Sequence, residues 1–290
     1  MMTRFVDLGN RLLFSSISVV VLGFLIYFSM NPFVQFAIFI LVSAIAVTAI
    51  WEYARMLKTK AIDLPFWLLA VLAVVFIFAS YLSILHSSVS AVTGMVIAGA
   101  FFAIFLYHFA KVEGALVNIP TCLFTAFYIL IPLGLMLRIL YPSSISNYFV
   151  DGRLWITYLI VVTKITDVGA YFAGKMWGKM KLAPSLSPKK TMAGAIAGLV
   201  SAIASSLFFT GISQMTPPAV FHLALVPSLI LGALIGVFGQ LGDLAESLLK
   251  RDANIKDSNK IPGIGGSLDM LDSLLFTAPI VYLFLRTMPT

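Results

Sequence analysis

Nine stretches of this chain run for about twenty residues with few or no charged side chains. They are Leu12–Met30, Phe33–Trp51, Pro65–Leu85, Ala91–Ala110, Ile119–Leu140, Leu154–Ala173, Met192–Ile212, Val220–Leu241 and Leu268–Leu285. A helix of about 20 apolar residues covers the hydrocarbon core of a bilayer. In lipid a spanning segment must also satisfy its own backbone, which favours helices. The pattern therefore predicts an all-α, polytopic integral membrane protein with about nine transmembrane helices. Only 11% of the residues are charged, against about 25% in soluble domains. The ninth run is the least regular, with Asp269 and Asp272 in its first turn and Pro279 in its middle.

The net charge of +7 does not argue for a nucleic-acid partner, because membrane proteins gather Lys and Arg in cytoplasmic loops. With the N-terminus inside, 15 of the 19 basic residues fall in inner segments. These include Arg55, Lys58, Lys60, Lys111 and the lysines of two longer loops, 174–191 and 242–267. The C-terminus is then outside. Arg4 and Arg11 precede the first run and no small-residue cleavage motif follows, so that span is expected to stay. The single cysteine, Cys122, lies in an apolar stretch and cannot form an intrachain disulfide. Two regions follow. Residues 1–150 form a transmembrane scaffold of about five helices. Residues 151–290 form the region where chemistry concentrates, with its two long cytoplasmic loops.

Seven of the 12 acidic residues lie between positions 167 and 272: Asp167, Asp243, Glu246, Asp252, Asp257, Asp269 and Asp272. An acid at a membrane end costs a few kcal/mol to insert and calls for a polar partner. If the eighth helix continues past the membrane, "GDLAESLLKRD" puts Asp243, Glu246, Lys250 and Arg251 on one broad face. A solvated amphipathic helix with a Glu246–Lys250 pair is the competing reading. The stretch "KIPGIGGSLDMLDS" sets Pro262, Gly263, Gly265 and Gly266 before a helix start. Such a loop lets backbone N–H groups approach a phosphate at a helix N-terminus. Asp269 and Asp272, one turn apart, could hold one divalent cation or two neighbouring ones, and oxygen ligands suit Mg²⁺. An ordinary acidic helix start is the alternative. "SLSPKKT" brings Ser187, Lys189, Lys190 and Thr191 to the same side, where lysines can anchor to lipid head groups or neutralise a polyphosphate. Asp167 has Lys164 three residues before it, so a pair within the helix is open there. Carboxylates, glycines and lysines at one membrane surface suit phosphoryl or nucleotidyl transfer onto a lipid.

The segment "SLLKRDANIKDSNKIPGIGGSLDMLDS", Ser247–Ser273, resembles the signature of the CDP-diacylglycerol synthases, or phosphatidate cytidylyltransferases. "GDLAES", "DVGAYFAGKMWGK" and "SPKKT" are similar to that family as well. The likeness covers roughly residues 160–285. Ile264, Met270 and Ala193 stand where the family usually has His, Arg and Glu, so no role resting on those side chains carries over. The resemblance implies transfer of CMP from CTP to phosphatidate, with Mg²⁺ as cofactor and a second cation such as K⁺ left open. It implies Asp243 and Asp269 as principal metal ligands, with Asp272 and Asp257 in support. Lys189, Lys190, Lys250, Arg251 and Lys256 would bind triphosphate and lipid phosphate. Ser187, Thr191, Asp167, Gly263, Gly265 and Gly266 would complete substrate binding. The expected setting is a bacterial-type inner membrane with the site facing the cytoplasm, and a homodimer is left open. A CTP-dependent polyprenol kinase and an ion-coupled transporter are the rival readings. Gathering of charge on one face and in one half argues against the transporter.

Overall fold

The computed structural model describes residues 16–85, 90–142, 151–218, 220–256, 258 and 266–287. Asp257, Gly263 and Gly265, and the start of the first apolar run, lie outside these residues. Nine helices are present among the described residues. They are α1 (Ser16–Tyr27), α2 (Pro32–Lys58), α3 (Phe66–Leu85), α4 (Ser90–Phe109), α5 (Ala115–Leu140), α6 (Gly152–Trp177), α7 (Met192–Met215), α8 (Leu225–Asp252) and α9 (Ser267–Thr287). The last eight are long and apolar enough to cross a membrane. Between α6 and α7 lies a hairpin of β1 (Lys181–Ala183) and β2 (Ser187–Thr191), paired antiparallel with Lys181 opposite Thr191.

Local chemistry explains most boundaries. Asn31 caps α2, its Oδ1 accepting from Phe33 N at 2.9 Å, with Pro32 at the first helical position. Inside α5, Pro132 has no N–H to donate, and a π turn over Ala126–Leu130 stands just before it. The eighth apolar run starts its helix at Leu225 instead of Val220. Pro217 and Pro218 precede it, and Val220 N closes a turn on Pro217 O. The helix then continues unbroken to Asp252, so "GDLAESLLKRD" is helical, as the spacing of its charges requires.

Helices α6 to α9 pack side by side, and α9 also lies against α5 and α2. Small residues bring these backbones close. A Cβ at Gly232 would stand 2.7 Å from Ser206 Cβ, and one at Gly236 would stand 3.0 Å from Ala202 Cβ. This is how helices associate where lipid offers no hydrophobic driving force. Tyr158 adds a buried bond to Ser206 at 2.7 Å, and Ser206 in turn donates to Ser228 O at 2.7 Å. All around the bundle large apolar side chains face outward, among them Phe33, Trp67 and Phe102 of α2 to α4 and Phe172, Phe208 and Ile230 of α6 to α8.

The two ends of the bundle can be told apart by their contacts. At one end Lys60 pairs with Asp252 at 2.8 Å, Arg251 Nε donates to Leu186 O at 3.0 Å, and Lys111 approaches Asp63 at 4.0 Å. Here the loops assigned as basic inner segments come together. At the other end Arg153 pairs with Asp151 at 2.5 Å and donates to Tyr27 O at 3.2 Å.

Candidate active site

The site lies at the basic end and consists of two linked polar clusters. In the first, a cavity of 460 Å³ opens between α6, the hairpin, α7 and α8. Asp167 and Tyr171 line it from α6, Lys189, Lys190 and Thr191 from β2, and Gln240 and Asp243 from α8. The hairpin carries its lysines to this place because β2 leads straight into α7, with Thr191 as the junction. Thr191 caps α7, its Oγ1 accepting from Gly194 N at 3.1 Å. Lys190 Nζ sits 2.7 Å from Asp243 Oδ2 and reaches Gln240 O at 3.5 Å. Gln240 Nε2 donates to Ala195 O at 3.1 Å and fixes α8 against α7. Lys164 lies 3.8 Å from Asp167 and also donates to Met270 O at 3.1 Å, tying α6 to α9. The cavity is therefore walled by cations, with Asp243 and Asp167 as its acidic members.

The second cluster centres on Lys250. Its ammonium lies 2.5 Å from Glu246 Oε2 and 2.6 Å from Asp269 Oδ1, so one cation joins α8 to α9. Glu246 is only 1% exposed, and its Oε1 has no partner. Asp269 Oδ2 accepts from Ser258 N at 3.3 Å. Asp272, one turn further along α9, is buried and accepts from Ser273 N at 2.5 Å. Gly242 connects the two clusters. A Cβ there would overlap the carbonyl of Asp272, so only glycine lets α8 and α9 meet at this level. Asp243, the next residue, lies within electrostatic reach of Asp272 and Asp167.

Several expected site residues have definite structural partners. Arg251 is exposed and donates to Leu186 O, holding the hairpin tip against α8. Ser187 pairs with Ala183 inside the hairpin. Lys189 and Lys256 are exposed. Gly266 is buried and leaves no room for a side chain, because a Cβ would collide with Ser258 Oγ and stand 2.8 Å from Asp269 Oδ2.

Asp243, Asp269 and Asp272 are the expected metal ligands. Among the described residues no three His, Cys, Asp or Glu side chains converge as a ready ligand set. Asp243 and Asp269 each hold a lysine instead. Mg²⁺ nevertheless needs only one or two protein carboxylates, the rest of its shell being water and substrate phosphate. The donors here, carboxylate oxygens with the unpartnered Glu246 Oε1 beside them, have the right chemistry for such an ion.

Glu246, Ser258 and Glu52 were not among the site residues expected from the sequence. Glu52 lies in α2, is fully buried, and bonds to the N-terminus of α9. The available signal was a lone carboxylate inside the apolar run "AVTAIWEYARM", where a charge needs a partner.

The model of the Cytidylyltransferase family matches residues 9–288. The chain is 35% identical over 291 residues to the phosphatidate cytidylyltransferase of Chlamydia pneumoniae, covering 96% of this chain and 92% of that one. It is 35% identical over 281 residues to the Bacillus subtilis phosphatidate cytidylyltransferase, covering 97% and 98% of the two chains. With a whole-length match to the family and two relatives aligned nearly end to end, the chain belongs to the cytidylyltransferase family.

Proposed function

We propose that this chain is a phosphatidate cytidylyltransferase, working at the cytoplasmic face of the membrane with its N-terminus inside. A phosphate oxygen of phosphatidate attacks the α-phosphorus of CTP. The bond from that phosphorus to the bridging oxygen breaks, and pyrophosphate leaves with the electron pair. CDP-diacylglycerol remains in the bilayer. The observation that carries this reading is the pairing of a lysine-walled cavity, holding Lys190 and Asp243, with the Lys250–Asp269 link about two turns along the same face of α8.

Each part has a physical role. Lys189, Lys190 and Lys175 line the cavity and offset the charge of the triphosphate. Lys250 keeps the start of α9 against α8, so Asp269 and Asp243 serve one reaction centre. Mg²⁺ held by Asp243 and Asp269, with Asp272 in support, would neutralise phosphate oxygens as charge moves onto the leaving group. Acyl chains stay in the surrounding lipid while the head group enters from the side. The positions assigned to scaffold and catalysis, 1–150 and 151–290, divide the labour in this scheme.

Radiolabelled CTP and phosphatidate, supplied with Mg²⁺, test it. Asp243→Asn and Asp269→Asn should each lower incorporation into lipid by at least about a hundredfold while the protein still inserts and purifies normally. Full activity in either variant removes that residue from the mechanism. Release of CDP in place of pyrophosphate would make the enzyme a lipid kinase.

A further inference from the structure

We infer that Glu52 is a positioning residue for the reaction: from the scaffold helix α2 it holds the first turn of α9, and with it Asp269, in place. This rests on the assignment of Asp269 to the reaction centre.

Helix α9 cannot cap itself. The residue before it is Gly266, which has no side chain to accept from the free N–H groups of the first turn. Glu52 supplies the missing acceptor from another helix. Its Oε1 accepts from Ser267 N at 2.9 Å, and its Oε2 accepts from Leu268 N at 2.9 Å. Oε2 also accepts from Ser258 Oγ at 3.0 Å. All three partners donate, which is what an acceptor-only carboxylate requires. The positive end of the α9 dipole favours the same charge.

Two routes lead from Glu52 to Asp269. The first is the helix itself, because Asp269 follows Leu268 directly. The second is Ser258, whose hydroxyl is held by Glu52 and whose N–H reaches Asp269 Oδ2 at 3.3 Å. The rest of α2 reinforces the clamp. Thr48 Oγ1 lies 2.9 Å from Ser267 Oγ, on the same side as Glu52. Beyond the last turn of α2, Thr59 Oγ1 donates to Ala253 O at 3.0 Å and Lys60 pairs with Asp252. One helix thus holds the end of α8 and the start of α9. The spacing between Lys250 and Asp269 is set from both sides.

Glu52→Gln keeps size and one acceptor but replaces an acceptor oxygen with a donor. In purified full-length enzyme it should lower kcat by about tenfold or more, with KM for CTP changing less than about twofold. Glu52→Asp should recover part of the rate. Hydrogen exchange at the Ser267 and Leu268 amides, followed by mass spectrometry, should quicken by about tenfold, in line with loss of a charge-assisted bond. In an Asp269→Asn background the same Glu52→Gln change should cost less than about twofold, because the residue it positions is already disabled. Wild-type kcat in Glu52→Gln, or a full additive loss in the double variant, overturns the inference. An active Asp269→Asn enzyme would overturn the assignment of Asp269 instead, and a change in exchange without a change in rate would then mark Glu52 as a purely structural cap.

Discussion

The first five helices and the last four satisfy their polar groups in different ways. In α3 to α5 most hydroxyls turn back on their own helix: Ser80 Oγ donates to Phe76 O, Ser83 Oγ to Ser80 O and Thr125 Oγ1 to Thr121 O. In α6 to α9 some also turn back, as Thr157 and Thr166 do, but others reach across. Tyr158 meets Ser206, Thr163 meets Thr277 at 3.1 Å, Lys164 meets Met270 O, and Lys250 joins Glu246 to Asp269. Self-satisfied helices can slide or tilt with little loss, since lipid replaces a neighbouring apolar face at small cost. Cross-linked helices cannot. The helices that carry the proposed site are therefore also the ones tied to one another by polar bonds. In the first region Thr93 of α4 reaches Ala79 O of α3 at 3.5 Å, and Thr48 and Glu52 of α2, with Thr59 and Lys60 just past its end, reach into the second region.

The largest effect expected from breaking this contrast is at Lys250. Its side chain is 13% exposed and sits between two carboxylates. Lys250→Met would leave Glu246 and Asp269 facing each other without a cation, at a cost of about 3–5 kcal/mol for an uncompensated buried charge. Activity should vanish and the thermal midpoint in detergent should fall clearly. Lys111→Met removes the scaffold's pair to Asp63, whose side chains are 60% and 74% exposed, and should leave both quantities unchanged. Equal effects from the two substitutions would erase the distinction between the regions.

Much of this was legible in the sequence. The apolar runs dictated the helices because lipid leaves the backbone few choices. Lys and Arg counts grouped the loops that meet at one end, and the spacing in "GDLAESLLKRD" put Glu246 and Lys250 within reach of each other. Other features were not local. The hairpin at Lys181–Thr191 forms because the ends of α6 and α7 bring its strands together, and no alternating pattern announces it. The family resemblance offers Thr191 for substrate binding, and only the fold shows that its hydroxyl caps α7. Glu52 was hardest, because its three partners are more than 200 residues away in the chain. A carboxylate in an apolar run signals that a partner exists without saying where.

A smaller effect is expected from glycine, and it sharpens the comparison differently. Gly242 of α8 faces the backbone of Asp272, which a Cβ would strike. Gly242→Ala should push α8 from α9 at a cost of about 1–3 kcal/mol and lower kcat with it. Gly99 of α4 has nothing within 4 Å of where its Cβ would be. Gly99→Ala should be neutral or stabilising by about 0.5–1 kcal/mol, through reduced freedom of the unfolded chain and better helix propensity. Thermal midpoints and turnover measured side by side give the answer. Loss of function in Gly99→Ala would mean that α4 is held as tightly as α8 and α9.

The smallest effect belongs to the end of the bundle away from the proposed site. Burial raises the Asp151 carboxyl, but Arg153 more than offsets this, donating to it from side chain and backbone and holding it below the usual carboxylate range. A carboxyl whose pKa is depressed on folding stabilises the protein above its unfolded value of about 3.9. That contribution fades as pH falls through the lower folded value. Wild type should therefore lose a little stability below about pH 4 that Asp151→Asn does not lose. Asparagine is an equally good helix cap, so the variant isolates the ion pair from the cap. Turnover at neutral pH should be the same in both, because Asp151 and Arg153 lie with Tyr27 and Val220 at the far end from Lys250. A fall in turnover without a fall in thermal midpoint would mean that the two ends of the bundle are coupled, and that the locked helices transmit strain along their whole length.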